Sequence, residues 1–281
     1  MKKLTRFLGV ALLLASTHTF AQEAFMLKYN LQPNKKYIQE VTTTQNVVQS
    51  MMGQEIKADV DVKGETEMIV EKIETSGNAN ILYTIRNFSV RSAAMGKDTT
   101  MNFKDVNNKI SVTVSPLGKN LATKDVTEPN VKKIPGIDEL SKNLKFMILP
   151  GKNVKVGEEW KDTQIDSIKP SVSNPFLLIS KQDVEYKLVG KEAKDGKQYI
   201  KILSKGPIMV SGKGEQMGME MMLEGSGKFE AVTYLDSQTM MAMYSEVTMG
   251  NDMTISIVGQ QNMTIPMTQN GKTIVKITEK K

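Results

Sequence analysis

Cysteine is absent from this chain of 281 residues, and histidine occurs once, at His18. Without Cys there is no disulfide, no thiol nucleophile and no thiolate metal site. His18 lies in an N-terminal stretch that reads as removable, so the working protein is expected to hold no imidazole. That excludes a Ser–His–Asp triad and the usual zinc sites. Aromatic residues are 6% of the chain, with Trp160 the sole tryptophan. No basic stripe interleaves with them, so nucleic acid is not an expected partner. No apolar run approaches the roughly 20 residues of a membrane-spanning helix. Gly212-Lys213-Gly214 lacks the spacing of a phosphate loop, and there is no Asp-rich calcium loop. Asp59 and Asp61 share a face but are flanked by Lys57 and Lys63, as on a solvated surface. The adjacent Glu158 and Glu159 point to opposite faces of a strand and cannot act as a facing carboxylate pair. These exclusions leave no catalytic residue, no cofactor and no metal site to assign. The expectation is a protein that is not an enzyme.

The N-terminus has its own pattern. Lys2, Lys3 and Arg6 precede an apolar run from Phe7 to Ala15, and Ala21 follows as a small residue. This is the layout of a cleaved Sec signal peptide over residues 1–21. No Cys follows the apolar run, so a lipoprotein anchor is not expected. The mature protein, 22–281, should be exported to the periplasm or beyond. Losing three basic residues leaves 34 Lys and Arg against 31 Asp and Glu, a net charge of about +3.

Alternation of period two dominates the rest. Ile56, Ala58, Val60, Val62, Gly64, Thr66, Met68 and Val70 form one face. Lys57, Asp59, Asp61, Lys63, Glu65 and Glu67 form the other. This is a long antiparallel strand, wet on one side, with Gly64 as a bulge or bend. The design returns with Met217, Met219, Met221, Leu223, Gly225, Gly227, Phe229 and Ala231. A shift of 161 residues superposes the two faces. Two related halves, about 25–130 and 183–281, are one reading; a chance likeness between long amphipathic hairpins is the other. Further strands are expected at 25–31, 35–48, 79–91, 97–106, 109–115, 183–190, 197–204, 239–249, 252–258 and 272–278. Turns are expected at 75–78, 115–118, 194–197 and 269–272, with Asp195-Gly196 and Asn270-Gly271 the strongest hairpin signals.

The joining segment 131–182 departs from this rule. Ile137, Leu140, Leu144 and Ile148 recur every three to four residues, between Pro135-Gly136 and Pro150-Gly151. They predict an amphipathic helix near 137–148, either plugging a β structure or packed on a sheet edge. Residues 167–180 read as a loop delivering Phe176-Leu177-Leu178-Ile179, a run expected to be buried. The fold class is thus all-β: a long curved antiparallel sheet forming an open half-barrel or two-lobed structure, with one helix.

The stretch from Leu149 to Trp160 (LPGKNVKVGEEW) resembles the "lP…VkvGdsW" signature of exported Bacteroidota proteins in a domain family of unknown function. The opening Leu31-Gln32-Pro33-Asn34-Lys35-Lys36-Tyr37 is similar to that family's "L.pGk.Y" start, with Asn34 where Gly is usual. The resemblance implies long strands curling into open half-barrels, as in the lipoprotein-carrier (LolA/LppX-like) superfold. It implies no known activity. In physical terms, Val154 and Val156 alternate into a core, Gly157 permits a tight turn, and Trp160 is large enough to anchor the junction of the halves.

Twenty methionines stand against a single histidine and no cysteine. Met is unbranched and adaptable. Met217, Met219, Met221, Leu223 and Phe229 share one strand face, and Met241 and Met243 one face of the next. These seven are the candidate lining of a concave site for a lipid or other hydrophobic ligand. Two alternatives remain open: a structural protein with a partner in the cell envelope, and Cu(I) held by thioethers.

Overall fold

The computed structural model describes residues 23–51, 53–131, 144–170, 176–216, 218–258 and 262–280. Two short strands, β1 (Ala24–Met26) and β8 (Asn153–Lys155), pair with each other. Twelve others build one antiparallel sheet. They are β2 (Lys36–Met51), β3 (Gln54–Ile73), β4 (Ala79–Ala94), β5 (Lys97–Phe103), β6 (Asn108–Val114) and β7 (Asn120–Asp125), then β9 (Glu159–Ile168), β10 (Phe176–Lys194), β11 (Lys197–Gln216), β12 (Met219–Asp236), β13 (Ala242–Val258) and β14 (Met263–Lys280). The order is β7-β6-β4-β3-β2-β14-β13-β12-β11-β10-β9, with β5 also on β4. The first long strand therefore pairs with the last, from Lys36↔Lys280 to Gln49↔Met267, and joins both halves in one sheet.

The expected alternation is realised over unusual lengths: β3 and β11 each run 20 residues, about 65 Å at the rise of a strand. Residues that face each other in register share a face. Reading the pairings across β10–β14 and β2–β4, the inward positions are uncharged except Lys191, opposite Ile200, and Glu279, opposite Tyr37, both near strand ends. The outward positions carry the other Lys, Asp and Glu.

The sheet curls strongly but does not close by strand pairing. Tyr83 on β4 and Gln164 on β9 are eight strands apart, roughly 38 Å on a flat sheet at 4.8 Å per strand. Yet both line one cavity. Two packed clusters fill the curl at one end. The first includes Leu27, Tyr29, Tyr186, Leu188, Ile202 and Leu235. The second includes Tyr37, Met68, Ile81, Tyr83, Ile110 and Met241. Leu31 and Phe146 pack against both.

No helix is present among the described residues. Residues 144–148 of the expected helix run as an irregular strap, while 137–143 lie outside the described residues. The strap crosses the concave side between the sheet's two edges. Asn120 Nδ2 donates to the Leu144 carbonyl and Leu149 N to the Leu117 carbonyl; Lys145 forms an ion pair with Asp166 on β9. Leu144, Phe146 and Met147 pack against the two clusters without forming a helix. Asn270-Gly271 is likewise not a turn: β14 runs straight through it, Gly271 pairing with Met249 and Gln45. Two flanking strands satisfy its backbone there, which overrides a local turn preference. The stretch 239–258 is similarly continuous from Ala242. Phe176-Leu177-Leu178-Ile179 opens β10 and alternates, leaving Leu177 and Ile179 exposed. Trp160 stacks on Tyr186, 5.1 Å between centroids, and packs on the first cluster only.

Other local expectations hold for identifiable reasons. Asp195 and Gly196 both have positive φ, as the tight hairpin turn needs. Gly157 has φ +85° at its turn, and Asn34 has φ +64°. Asn tolerates that region best after Gly. A register shift follows Gly64, between Glu65 and Thr66, with Arg86 as the extra residue on β4. Arg86 is thereby aimed at Glu67, 3.4 Å away, which also meets Lys280 at 3.3 Å.

Two outcomes follow. Gly118 (φ +89°) lies beneath the strap, where a Cβ would stand 2.2 Å from the Met147 carbonyl oxygen. Gly118→Ala should displace the strap and cost about 2 kcal/mol in denaturant unfolding. The two cations hold the Glu67 carboxyl below the usual carboxylate range despite its burial. Its contribution is therefore present above that range and lost as pH falls through the folded value. Glu67→Gln should lower stability by about 1 kcal/mol at pH 7, and the deficit should shrink below about pH 4.

Candidate functional site

The concave side holds a cavity of about 500 Å³ between the sheet and the strap. The strap supplies its roof with Leu144, Lys145, Phe146 and Met147, and Tyr29 closes one side. The floor comes from strands across the sheet: Val41, Met68, Val184, Ile208, Phe229, Val247 and Met249. Between these apolar groups stand neutral polar ones: Gln39, Gln164, Gln182, Ser204, Thr233 and Ser245. Lys145 is the sole charged lining residue, and it is paired with Asp166.

Polar atoms here are fixed by specific contacts. The Tyr29 hydroxyl donates to the Met147 carbonyl at 3.0 Å, tying the strap to the N-terminal segment. Gln164 Nε2 donates to the Tyr186 hydroxyl at 3.0 Å. Burial drives the Tyr29 and Tyr83 hydroxyls well above the usual tyrosine range. Tyr186 is pushed up to about 12 for the same reason, with Asp162 adding to the effect. All three are neutral hydrogen-bonding groups at physiological pH. The carboxylates with shifted affinity elsewhere (Glu158, Asp183, Glu185, Glu192, Glu246) are lowered, each first by a hydrogen bond from Lys or Thr. None is held protonated as a general acid would be.

Beyond Phe229 and Met249 the cavity passes into a gutter lined by the far ends of the strands. Cross-strand rows build its floor, such as Leu178–Gly212–Leu223–Ile255–Ile265 and Phe176–Gly214–Met221–Ile257–Met263. From Phe229 to Met221 this adds about 26 Å of uncharged inner surface, much of it half-buried.

The seven residues proposed from sequence do not form one patch. Phe229 and Met241 line the cavity. Met221 and Leu223 are buried on the inner face further along the gutter. Met243 packs against the second cluster, beside Met241. Met219 is 38% exposed at the start of β12, and Met217 lies outside the described residues. The methionines cluster instead around the middle of the gutter, where Met253 pairs directly with Met267. Among the described residues no group of His, Cys, Asp and Glu could hold a metal ion.

No family model and no curated protein matches this sequence. Among solved structures, an outer-membrane channel from Pseudomonas putida F1 covers 89% of this chain and 97% of its own, with 10% identity and a TM-score of 0.28. The Pseudomonas aeruginosa protein OccK7 (OpdD) covers 87% and 99%, with 5% identity and a TM-score of 0.28. Likeness this distant carries no conclusion about fold or activity. Among the described residues no helix is long and apolar enough to cross a membrane, which says nothing of strands.

The strap and the glutamines were not singled out from sequence. Gln39, Gln164 and Gln182 occupy the inward phase of their strands, but that phase also holds Thr43, Gln45 and Gln49 on β2 and Asp162 and Asp166 on β9, so alternation alone did not mark them. If Tyr29 fastens the roof, Tyr29→Phe should lose about 1–2 kcal/mol, because the buried Met147 carbonyl is left unpaired. Thermal unfolding of the two proteins measures this directly.

Proposed function

We propose that this is an exported, non-enzymatic protein that binds a lipid or other elongated hydrophobic ligand along the concave face of its sheet. The observation that carries the reading is the inner face itself. Across the described residues of eight strands its only charged positions are Lys191 and Glu279 near strand ends, it curls round a cavity of about 500 Å³, and it continues as a half-buried apolar gutter. The volume falls within the range of ligand pockets, which combine apolar walls with a few polar groups. Half-buried apolar surface on this scale is unusual unless something covers it. The amides of Gln39, Gln164 and Gln182 and the ammonium of Lys145 would receive a polar head, while the gutter would take the chain. The absence of Cys, the place of the single His in residues 1–21 and, among the described residues, the lack of a carboxylate held protonated support a binding role over catalysis.

Native mass spectrometry of protein purified without detergent should show a bound lipid, and a fluorescent fatty-acid probe should bind saturably. Trp160, stacked on the cavity residue Tyr186, should report binding through its emission. Ala231→Trp, which fills the cavity floor, should weaken probe binding at least tenfold. A protein that carries no lipid and takes up no probe would sink this reading. Pull-down of a stoichiometric envelope protein by such ligand-free protein would instead favour a structural role.

A further inference from the structure

Among the described residues of the inner face, one buried side-chain oxygen has no hydrogen-bond partner. Asn251 stands in the middle of β13, 9% exposed, and its Oδ1 is buried with no hydrogen bond. Its register neighbours are Gly227 on β12 and Gln269 on β14. Gly227 makes the position possible: a Cβ there would stand 2.0 Å from the Asn251 oxygen. The amide thus lies across bare backbone. Met249 and Met253 flank it along the strand, and the Gln269 amide beside it on β14 makes no hydrogen bond to its Oδ1. Leaving a buried amide oxygen unpaired is costly, and the other inward positions of β13 from Val247 to Ile257 hold Val, Met and Ile.

The placement relates Asn251 to the cavity. Met249 and Phe229 form the wall where the cavity passes into the gutter. Asn251 is the next inward residue beyond that wall, about 7 Å further along β13. A chain threading from cavity to gutter would pass over it. Met249 and Met253 are unbranched and can change rotamer to admit one. Gln182 lies in the same cross-strand row, three strands away, or at most about 14 Å.

We propose that Asn251 determines ligand specificity: its amide oxygen accepts a hydrogen bond from a donor, a hydroxyl or an amide N–H, carried within the apolar part of the bound amphiphile. This deepens the reading of the concave face as a hydrophobic-ligand site and rests on it. A saturated chain without a donor would bury the oxygen still unpaired. A chain with the donor in register satisfies both groups at once.

Calorimetric titration of the full chain with stearic acid and with 3-, 10- and 12-hydroxystearic acid tests this. At least one hydroxy isomer should bind about tenfold tighter than stearic acid. In Asn251→Leu that ratio should fall to about one. This variant should melt at or above the wild-type temperature, because an unpaired polar group has been removed. The wild-type comparison is decisive even if the variant fails to fold. Equal affinity for all four acids, or a preference that survives in Asn251→Leu, overturns the role of Asn251 and leaves the hydrophobic-ligand site standing. Saturable binding of none of them overturns both.

Discussion

A single sheet has one layer, and its apolar face must find cover without a second layer to supply it. The curl of the twelve strands is the answer, and the remaining features depend on it. Curling brings β4 and β9 onto a common cavity, lets two packed clusters form at one end, and leaves a gap that the strap at 144–149 crosses. Strand twist supplies the tendency to curl. The apolar phase of every long strand supplies the driving force.

The pairing of β2 with β14 is what makes this one sheet rather than two. It unites residues more than 200 positions apart, so the ordering entropy of most of the chain is spent before that contact forms. Side chains consolidate the seam. Lys280 reaches from β14 past β2 to Glu67 on β3, and Met241, from the turn between β12 and β13, is buried in the cluster otherwise built by β2–β6. Halves that resemble each other in pattern are thus joined as neighbours in one surface, with the cavity at their shared concave side.

Electrostatics divides the two faces. The outer face carries exposed pairs such as Lys161–Glu185 and Lys272–Glu246, which contribute little to holding the sheet together. Lys194 lies 4.1 Å from the Tyr244 ring centroid and 5.2 Å from that of Tyr234, covering two exposed-side aromatics. Around the cavity, apart from the Lys145–Asp166 pair, the inner face of β10–β14 and β2–β4 uses amides and hydroxyls where polarity is needed. Neutral polar groups are far cheaper to desolvate than charges, and they can serve a ligand without demanding a counter-ion.

The all-β class, the length of the strands, the wet and dry phases and the turns at 75–78, 115–118 and 194–197 were legible in the sequence. These follow from a period of two and from Gly, Asn and Asp at turns, which are local properties. The candidate lining was legible in phase but not in place. Met221, Leu223 and Phe229 are on the inner face as their alternation requires, while only register and curl decide that Phe229 meets the cavity and Met221 does not. Three features were decided by tertiary structure against local signals. Asn270-Gly271 became strand because β2 and β13 satisfy its backbone on both sides. Leu144 and Phe146 became a strap because both clusters need cover. Asn251, unremarkable among the alternating residues of β13, became a buried unpaired amide because Gly227 stands opposite it. Sequence determined which side of each strand is dry; the pairing of strands distant in the chain determined what that dry side encloses.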